Sequence, residues 1–490
     1  MSEPGELSGG DLIALVTSQA ALIQSQSKTI VELRARVAEL ERRLGLNSGN
    51  SSMPPSADDL PGRTPPPEKP AAPAKRKRGK QPGAMGMNLK WSDNPDKRVG
   101  YYPVGACGCG ADLSAASDLG VALSHQEHDI PAVTATVTQH DRHRVHCACG
   151  AEHVAELPEG VADSSVFYGV NLQALCVLLL VVHAVPVARC AQLVAAITGA
   201  APSVGFVHSL LRRTYAALSE VDQRIRALVS LSYVVNFDET PLRVGPKKVK
   251  KHLLVACTTL YTYYLVGDRS LATFKTFLLP ELAGVIVHDR YVNYDSAELT
   301  KLREEAGLAA LVHQLCCSHI LRDLQAMQEA YPDQPWPAQI AKALRGLIHA
   351  ANTARDEGAE AIAPTVKARL LQLFRDGVLV GLKDIPRDYD NVKQPEFRLL
   401  LELLRDREAD VLRFVDDLRI PPTNNQAERD LRPAKTQQKI SGRLQSETVT
   451  TYRYRVASYL STARKNGMNT LHAIRDALLG RPWMPALPTS

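Results

Sequence analysis

Apolar residues recur at a heptad spacing from residue 12 to residue 44. The a positions hold Val16, Ile23, Ile30, Val37 and Leu44, and the d positions hold Leu12, Gln19, Gln26, Leu33 and Leu40. β-Branched residues at a with Leu at d favour a parallel two-stranded coil, and the two Gln at d weaken its first half. Gly45 then stands where a helix ends. The pattern predicts one long helix that pairs with a second copy; the plainer alternative is an amphipathic helix packed on its own chain. All periodicity stops at residue 47. Residues 47–90 hold nine of the 31 prolines and the run Lys75-Arg76-Lys77-Arg78-Gly79-Lys80. Such a stretch cannot bury a core and reads as a linker whose cations suit phosphate contact, or merely solubility.

Helical spacing returns over residues 166–230. Its most apolar stretch, Ala174 to Ala188, is interrupted by His183 and Pro186 and is too short for a membrane span, so a buried helix is predicted. A start at Pro186-Val187-Ala188-Arg189, a break at Gly199 and a restart at Ala201-Pro202-Ser203 predict helix, turn, helix, with Ser203 as cap. That unit is either a DNA-reading motif or an ordinary helical hairpin.

From Tyr233 the pattern is that of strands: Tyr233–Asp238, Thr240–Val244, His252–Thr258 and Tyr261–Val266, then a helix over Ser270–Leu279. Two buried strands follow, Gly284–Asp289 and Ala310–Cys317. A three-stranded meander, a helix, then strands alternating with helices predict a mixed α/β sheet of the ribonuclease H kind. In that topology the first strand and the one ending at Asp289 are neighbours, so Asp238 and Asp289 come together. Residues 320–420 are mostly helical, and Asn425 is a candidate cap for a helix that puts Glu428 on its first turn.

Two adjacent carboxylates repel unless a cation joins them, and Mg²⁺ or Mn²⁺ prefers oxygen ligands. Two such ions roughly 4 Å apart serve the attacking and leaving oxygens in phosphoryl transfer. The blander alternatives are turn residues for the aspartates and a capping box for Asn425 with Glu428. A second candidate metal site is Cys107-Gly-Cys109-Gly110 with Cys147-Ala-Cys149-Gly150, four thiolates suited to one structural zinc. His143, His146 and His153 lie nearby, and residues 128–146 alternate as strands do. Free thiols in a small β-rich domain are the alternative.

Length, charge and cysteine count narrow the class. A chain of 490 residues exceeds one core, and a net charge of +6 is mild. No secretory pattern opens the sequence, and nine cysteines, an odd number, argue for a reducing compartment. A soluble cytoplasmic protein with no membrane segment is expected.

At this point the residues resemble the insertion sequence 66 transposases. Asn47-Ser-Gly-Asn-Ser-Ser-Met-Pro-Pro-Ser-Ala-Asp58 and Lys77-Arg78-Gly79-Lys80-Gln81-Pro82-Gly83 resemble that family's first two elements. Phe237-Asp-Glu-Thr-Pro-Leu-Arg-Val244, Asp289-Arg-Tyr-Val-Asn-Tyr294, Cys316-Cys-Ser-His319-Ile-Leu-Arg322 and Asn424-Asn-Gln-Ala-Glu-Arg-Asp-Leu-Arg-Pro433 resemble the rest, in family order. The resemblance implies a DDE transposase with a ribonuclease H-like core, a helical insertion and the metal-binding triad Asp238, Asp289 and Glu428. It also implies an N-terminal zipper, a zinc module and a helix-turn-helix. His319 and Arg322 match motif positions that contact or support phosphate. Arg429, Arg432 and Lys435, beside the proposed helix, suit phosphate binding or plain surface pairing. Arg290 departs from the glycine usual after the second aspartate, and the CxC pairs depart from CxxC.

The expected organisation is a zipper helix (1–46), a Pro-rich basic linker (47–98), a zinc-binding β module (99–160), a helix-turn-helix domain (161–230), the first part of the core (231–319), the helical insertion (320–422), and the Glu428 helix with a helical tail (423–490). The expected partners are DNA, at transposon ends and target, and a second copy of the chain or a higher oligomer. The rival reading is a non-catalytic, sequence-specific DNA-binding regulator derived from a transposase.

Overall fold

The computed structural model describes residues 9–44, 89–158, 160–387, 389, 394–440 and 444–487. The basic run Lys75–Lys80 and the motifs within 47–58 and 77–83 lie outside them. The chain divides into two compact units, Pro67–Val137 with Ile197–Ala200, and the remainder.

In the larger unit, helix α1 spans Gly9–Leu44, as the heptads predict. Its a-position residues Val16, Ile23, Ile30, Val37 and Leu44 are each between 50% and 63% exposed. A short antiparallel pair follows, β1 (Arg144–His146) with β2 (Glu152–Val154). The wider run of strands read over 128–146 is not formed. Val133 and Val137 are exposed, so alternation there meets no apolar layer to bury against.

Four helices come next: α2 (Val170–Val181), α3 (Val187–Thr198), α4 (Val204–Ala217) and α5 (Ser219–Ser230). α2 is buried as expected, through Ala174, Cys176, Val177 and Leu180. α4 starts where Ser203 Oγ accepts the Phe206 N–H at 3.1 Å. It turns Val207, Leu210, Leu211 and Thr214 inward and leaves His208, Arg212 and Arg213 exposed.

A five-stranded sheet then forms in the order β5-β4-β3-β6-β7. Its strands are β3 (Val234–Val244), β4 (Val249–Cys257), β5 (Thr262–Gly267), β6 (Val285–His288) and β7 (Val312–Leu315). The first three are antiparallel; β6 and β7 run parallel to β3. The two short strands read at 233–238 and 240–244 are one strand, β3. Pro241 is tolerated in it because it lies beyond the stretch paired with β6, where that edge of β3 carries no strand and a missing N–H costs little. β6 enters close against β3 at Gly284, where a Cβ would meet the Tyr233 carbonyl oxygen at 2.2 Å.

Strand alternation divides the core. Val235, Phe237, Leu254, Ala256, Tyr263 and Ile286 face one layer, with α2, α4, α5, α14 (Glu447–Lys465) and α15 (Thr470–Leu478). Leu242, Val244, Leu253, Val255 and Tyr264 face the other, with α13 (Asn425–Gln438). Val285, Val287 and Leu315 extend that second face beneath the helices of residues 317–416, α8 (Cys317–Ala330), α9 (Trp336–Asp356), α10 (Pro364–Asp384), α11 (Glu396–Asp406) and α12 (Glu408–Asp416). Two short helices, α6 (Leu271–Thr276) and α7 (Ala297–Glu305), flank β6. No described helix is long and apolar enough to cross a membrane.

Candidate active site

β3 and β6 pair in parallel register, Val235 with Ile286 and Asn236 with Val287. Carried on by two residues, that register sets Asp238 level with Asp289, about one strand spacing (4.8 Å) apart. Both aspartates are half-buried. Asp238 Oδ1 accepts the Glu239 N–H at 2.9 Å, and Asp289 Oδ1 accepts the Tyr291 N–H at 3.0 Å. Burial pushes the Asp238 carboxyl up to about 8, aided by the charges of Glu239 and Asp289; Lys435 pulls the other way.

Glu428 lies in the first turn of α13. The helix begins at the expected cap itself, Asn425, one residue earlier than that cap implied: Asn424 is the N-cap, and its side chain does not cap. Instead Asn424 is fully buried and its Nδ2 donates to the Phe237 carbonyl at 2.5 Å. Asn424 N–H also donates to Cys316 Sγ at 3.2 Å, and Cys317 N–H to the Pro422 carbonyl at 2.9 Å. The start of α13 is thus tied to the residue before Asp238 and to the start of α8. The capping box of Asn425 with Glu428 is not present.

His319, on the first turn of α8, is half-buried and feels the charges of Asp289, Arg322 and Glu428; burial lowers its pKa. Its Nδ1 and Asn424 Oδ1 are buried without a hydrogen-bond partner. Arg322 is half-buried, whereas Arg429, Arg432 and Lys435 are exposed along α13.

The residues fit a divalent cation in part. A desolvated carboxylate whose proton affinity is raised by burial and by neighbouring acids, as at Asp238, is what a hard cation relieves. Among the described residues, however, no three His, Cys, Asp or Glu side chains form a group that could hold an ion as they stand. This applies to the acids and to the cysteines alike. Cys107, Cys109, Cys147 and Cys149 are free and exposed, and the two pairs fall in different compact units. Each pair nevertheless has the same turn. Gly110 N–H donates to the Cys107 carbonyl and Gly150 N–H to the Cys147 carbonyl, at 2.8 and 2.9 Å. Gly110 and Gly150 take φ of 89° and 91°, which glycine alone adopts without strain. The Cys109 N–H lowers the pKa of Cys107, and the Cys149 N–H does the same for Cys147.

Two groups escape the sequence reading. Glu239, next to Asp238 on the opposite face of β3, is buried and ion-paired with Arg269, and Tyr294 Oη donates to it at 3.0 Å. Burial raises its pKa, with Asp289 adding to the effect. The adjacent acids were visible, but only a continuous strand points them apart. Behind Asp289 runs a histidine chain. Arg290 N–H donates to His288 Nδ1 at 3.2 Å, His288 Nε2 faces His313 Nδ1 at 3.0 Å, and His313 Nε2 faces Asp295 Oδ1 at 3.2 Å. That order requires a proton on Nε2 of both rings, and it holds the turn that carries Asp289.

The class these features define is mixed α/β, with acids gathered where the two central parallel strands end. Residues 165–451 match the model of the Transposase IS66 family, and the chain belongs to that family. It is therefore a transposase, an enzyme of the nuclease and transferase type that acts on DNA. Residues 14–90 match a second model, a family of unknown function (DUF6444). No curated protein matches the chain.

Proposed function

We propose that this transposase is a DDE enzyme that cuts strands at the ends of an insertion sequence and joins the freed 3′-hydroxyls to target DNA. The observation that carries the reading is the β3–β6 register, which levels Asp238 with Asp289 in a half-buried corner. The strand order β5-β4-β3-β6-β7 supports a ribonuclease H-like core, in which the helices of residues 317–416 would be the insertion.

Asp238, Asp289 and Glu428 would hold two Mg²⁺ or Mn²⁺ ions. Bound there, such ions supply an activated oxygen nucleophile and stabilise the leaving oxygen. The chain's own residues orient the rest. The N–H groups of Glu239 and Tyr291 aim the two aspartates, and Asn424 fixes the start of the Glu428 helix. His319, Arg322, Arg429, Arg432 and Lys435 bind phosphate around the acids, and Lys75, Arg76, Lys77, Arg78 and Lys80 extend that contact along the duplex. α3 and α4 bind the terminal repeats as a helix-turn-helix. Cys107, Cys109, Cys147 and Cys149 hold one structural zinc; the paired turns, and the N–H groups that lower the thiol pKa of Cys107 and Cys147, suit it. The exposed seam of α1 pairs two chains in a cytoplasmic dimer.

The test is a Mn²⁺- or Mg²⁺-dependent assay on duplexes carrying the inverted repeats that flank the gene. Glu428→Gln is expected to bind those ends with unchanged affinity while cleavage and joining fall below detection. Undiminished cleavage removes Glu428 from the mechanism. The regulator reading is favoured by the lack, among the described residues, of three converged metal ligands. Wild-type protein that binds the ends and cuts in neither metal selects it.

A further inference from the structure

The β3–β4 hairpin outruns its sheet. β6 pairs with β3 only over Val234–Asn236, and β5 pairs with β4 only over His252–Cys257. Residues 241–251 therefore form a two-stranded ribbon with no further strand on either side. One face of the ribbon is packed: Leu242 and Val244 are buried with Leu431, Ala434, Leu444 and Tyr454, and Gly245 N–H donates to the Leu444 carbonyl at 2.8 Å. The other face and the tip are open and cationic. Arg243, Lys247, Lys248 and Lys250 are exposed, and none has an ion-pair partner among the described residues. Lys251 alone is paired, with Glu447 at 2.9 Å. Residues 240–253 contain no acid.

Arg243 and Lys250 stand directly opposite each other in the antiparallel register. Like charges in that position destabilise a hairpin. The ribbon holds a repulsive pair on an open face, at the end of the strand that carries Asp238 near its middle. An external polyanion would relieve that repulsion and explain why the charges project instead of pairing with the protein's own acids.

We propose that this ribbon is a DNA-contact surface that grips the phosphate backbone of the duplex being cut; this rests on the transposase reading above. Arg243 lies five residue steps beyond Asp238, about 17 Å at strand rise, and the tip lies roughly 6 Å further. At 3.4 Å per base pair, the contacted phosphates lie about five to seven base pairs from the cleaved bond. The ligand is a regular array of phosphates, so the contact is independent of sequence.

The experiment compares wild type with a variant carrying Arg243→Gln, Lys247→Gln, Lys248→Asn and Lys250→Gln. Asn suits position 248, whose φ is 51°. Affinity for a fluorescent duplex of arbitrary sequence is measured across a KCl series. Loss of four phosphate contacts lowers the slope of log affinity against log salt by about 3 to 4. A second variant, Arg243→Lys with Lys247→Arg and Lys250→Arg, keeps the charges and is expected to keep the wild-type slope. Phosphate-ethylation interference on a cleavable end should show protection five to seven base pairs from the nick in wild type and not in the neutral variant. If wild type binds duplex and the neutral variant shares its slope and footprint, the ribbon proposal is wrong while the transposase reading stands. If wild type fails to bind duplex at low salt, both fall.

Discussion

Arg290 takes φ of 75°, a left-handed conformation that disfavours side chains with a Cβ. Two contacts offset the strain: the guanidinium is ion-paired with Asp323 on α8, and the N–H reaches His288 Nδ1. The position follows Asp289 directly, so its backbone aims that carboxylate. Two substitutions separate the effects. Arg290→Ala loses the ion pair and keeps the strain, whereas Arg290→Gly loses the ion pair and relieves it. The glycine variant is therefore expected to be the more stable by about 1 kcal/mol, although glycine normally costs stability relative to alanine. Urea unfolding of both variants checks this; alanine equal to or better than glycine would mean that the backbone there is not strained in solution.

At the scale of elements, α13 is the part that must be held still. It packs Ala427, Leu431 and Ala434 on the sheet, and a polar lock fixes its rotation. Asp430 accepts from Lys465 Nζ at 2.6 Å and from Thr262 Oγ1 at 2.9 Å, and Tyr264 Oη donates to the Asp430 carbonyl at 2.6 Å. Lys465 also reaches the carbonyls of Thr258 and Tyr261. α14 meanwhile covers the open edge of β5: the Thr262 and Tyr264 N–H groups donate to Thr462 Oγ1 and Ser458 Oγ, hydroxyls one helical turn apart. That spacing matches two residues of strand, so a helix replaces the missing neighbour strand. The Asp430 and Lys465 side chains are only 6% and 10% exposed. Removing one partner leaves a buried charge, so Lys465→Met is expected to destabilise by about 3 kcal/mol. Adding Asp430→Asn removes the orphaned carboxylate and is expected to recover roughly 1 kcal/mol. Chemical denaturation of the single and double variants measures both. A double variant no more stable than Lys465→Met would refute the lock.

At the scale of the whole molecule, the open seam of α1 is a long apolar stripe left without a cover among the described residues. Seven side chains along it, from Val16 to Leu44, are at least 44% exposed. The a and d residues from Leu12 to Leu44 carry no charge, as a buried seam between two copies requires. The pair Ile23→Asp with Ile30→Asp is expected to convert a dimer to a monomer in sedimentation analysis, because two like charges would be desolvated at each site. A wild-type protein that sediments as a monomer would rule out the pairing.

Legibility followed the range of the forces. Local patterns were readable: the heptads mark α1, the Ser203 cap marks α4, and paired Gly after CxC marks the two turns. The neighbourhood of Asp238 and Asp289 was readable from strand order, because a parallel strand following a meander has few places to go. The break placed at Glu239 misled, since two adjacent acids look like a strand end until the continuous pairing of β3 with β4 is known. Asn425 misled as the candidate cap, because Asn424 holds that position and its side chain serves a distant carbonyl instead of its own helix. Glu239, the His288–His313–Asp295 chain and the cationic ribbon depend on which residues of remote segments meet, and on where paired strands stop. The chain's own order thus determined the elements and the family. Tertiary packing alone decided where Glu239 is held, which helix replaces a strand, and which charges are left facing outward, since those depend on contacts between residues tens to hundreds of positions apart.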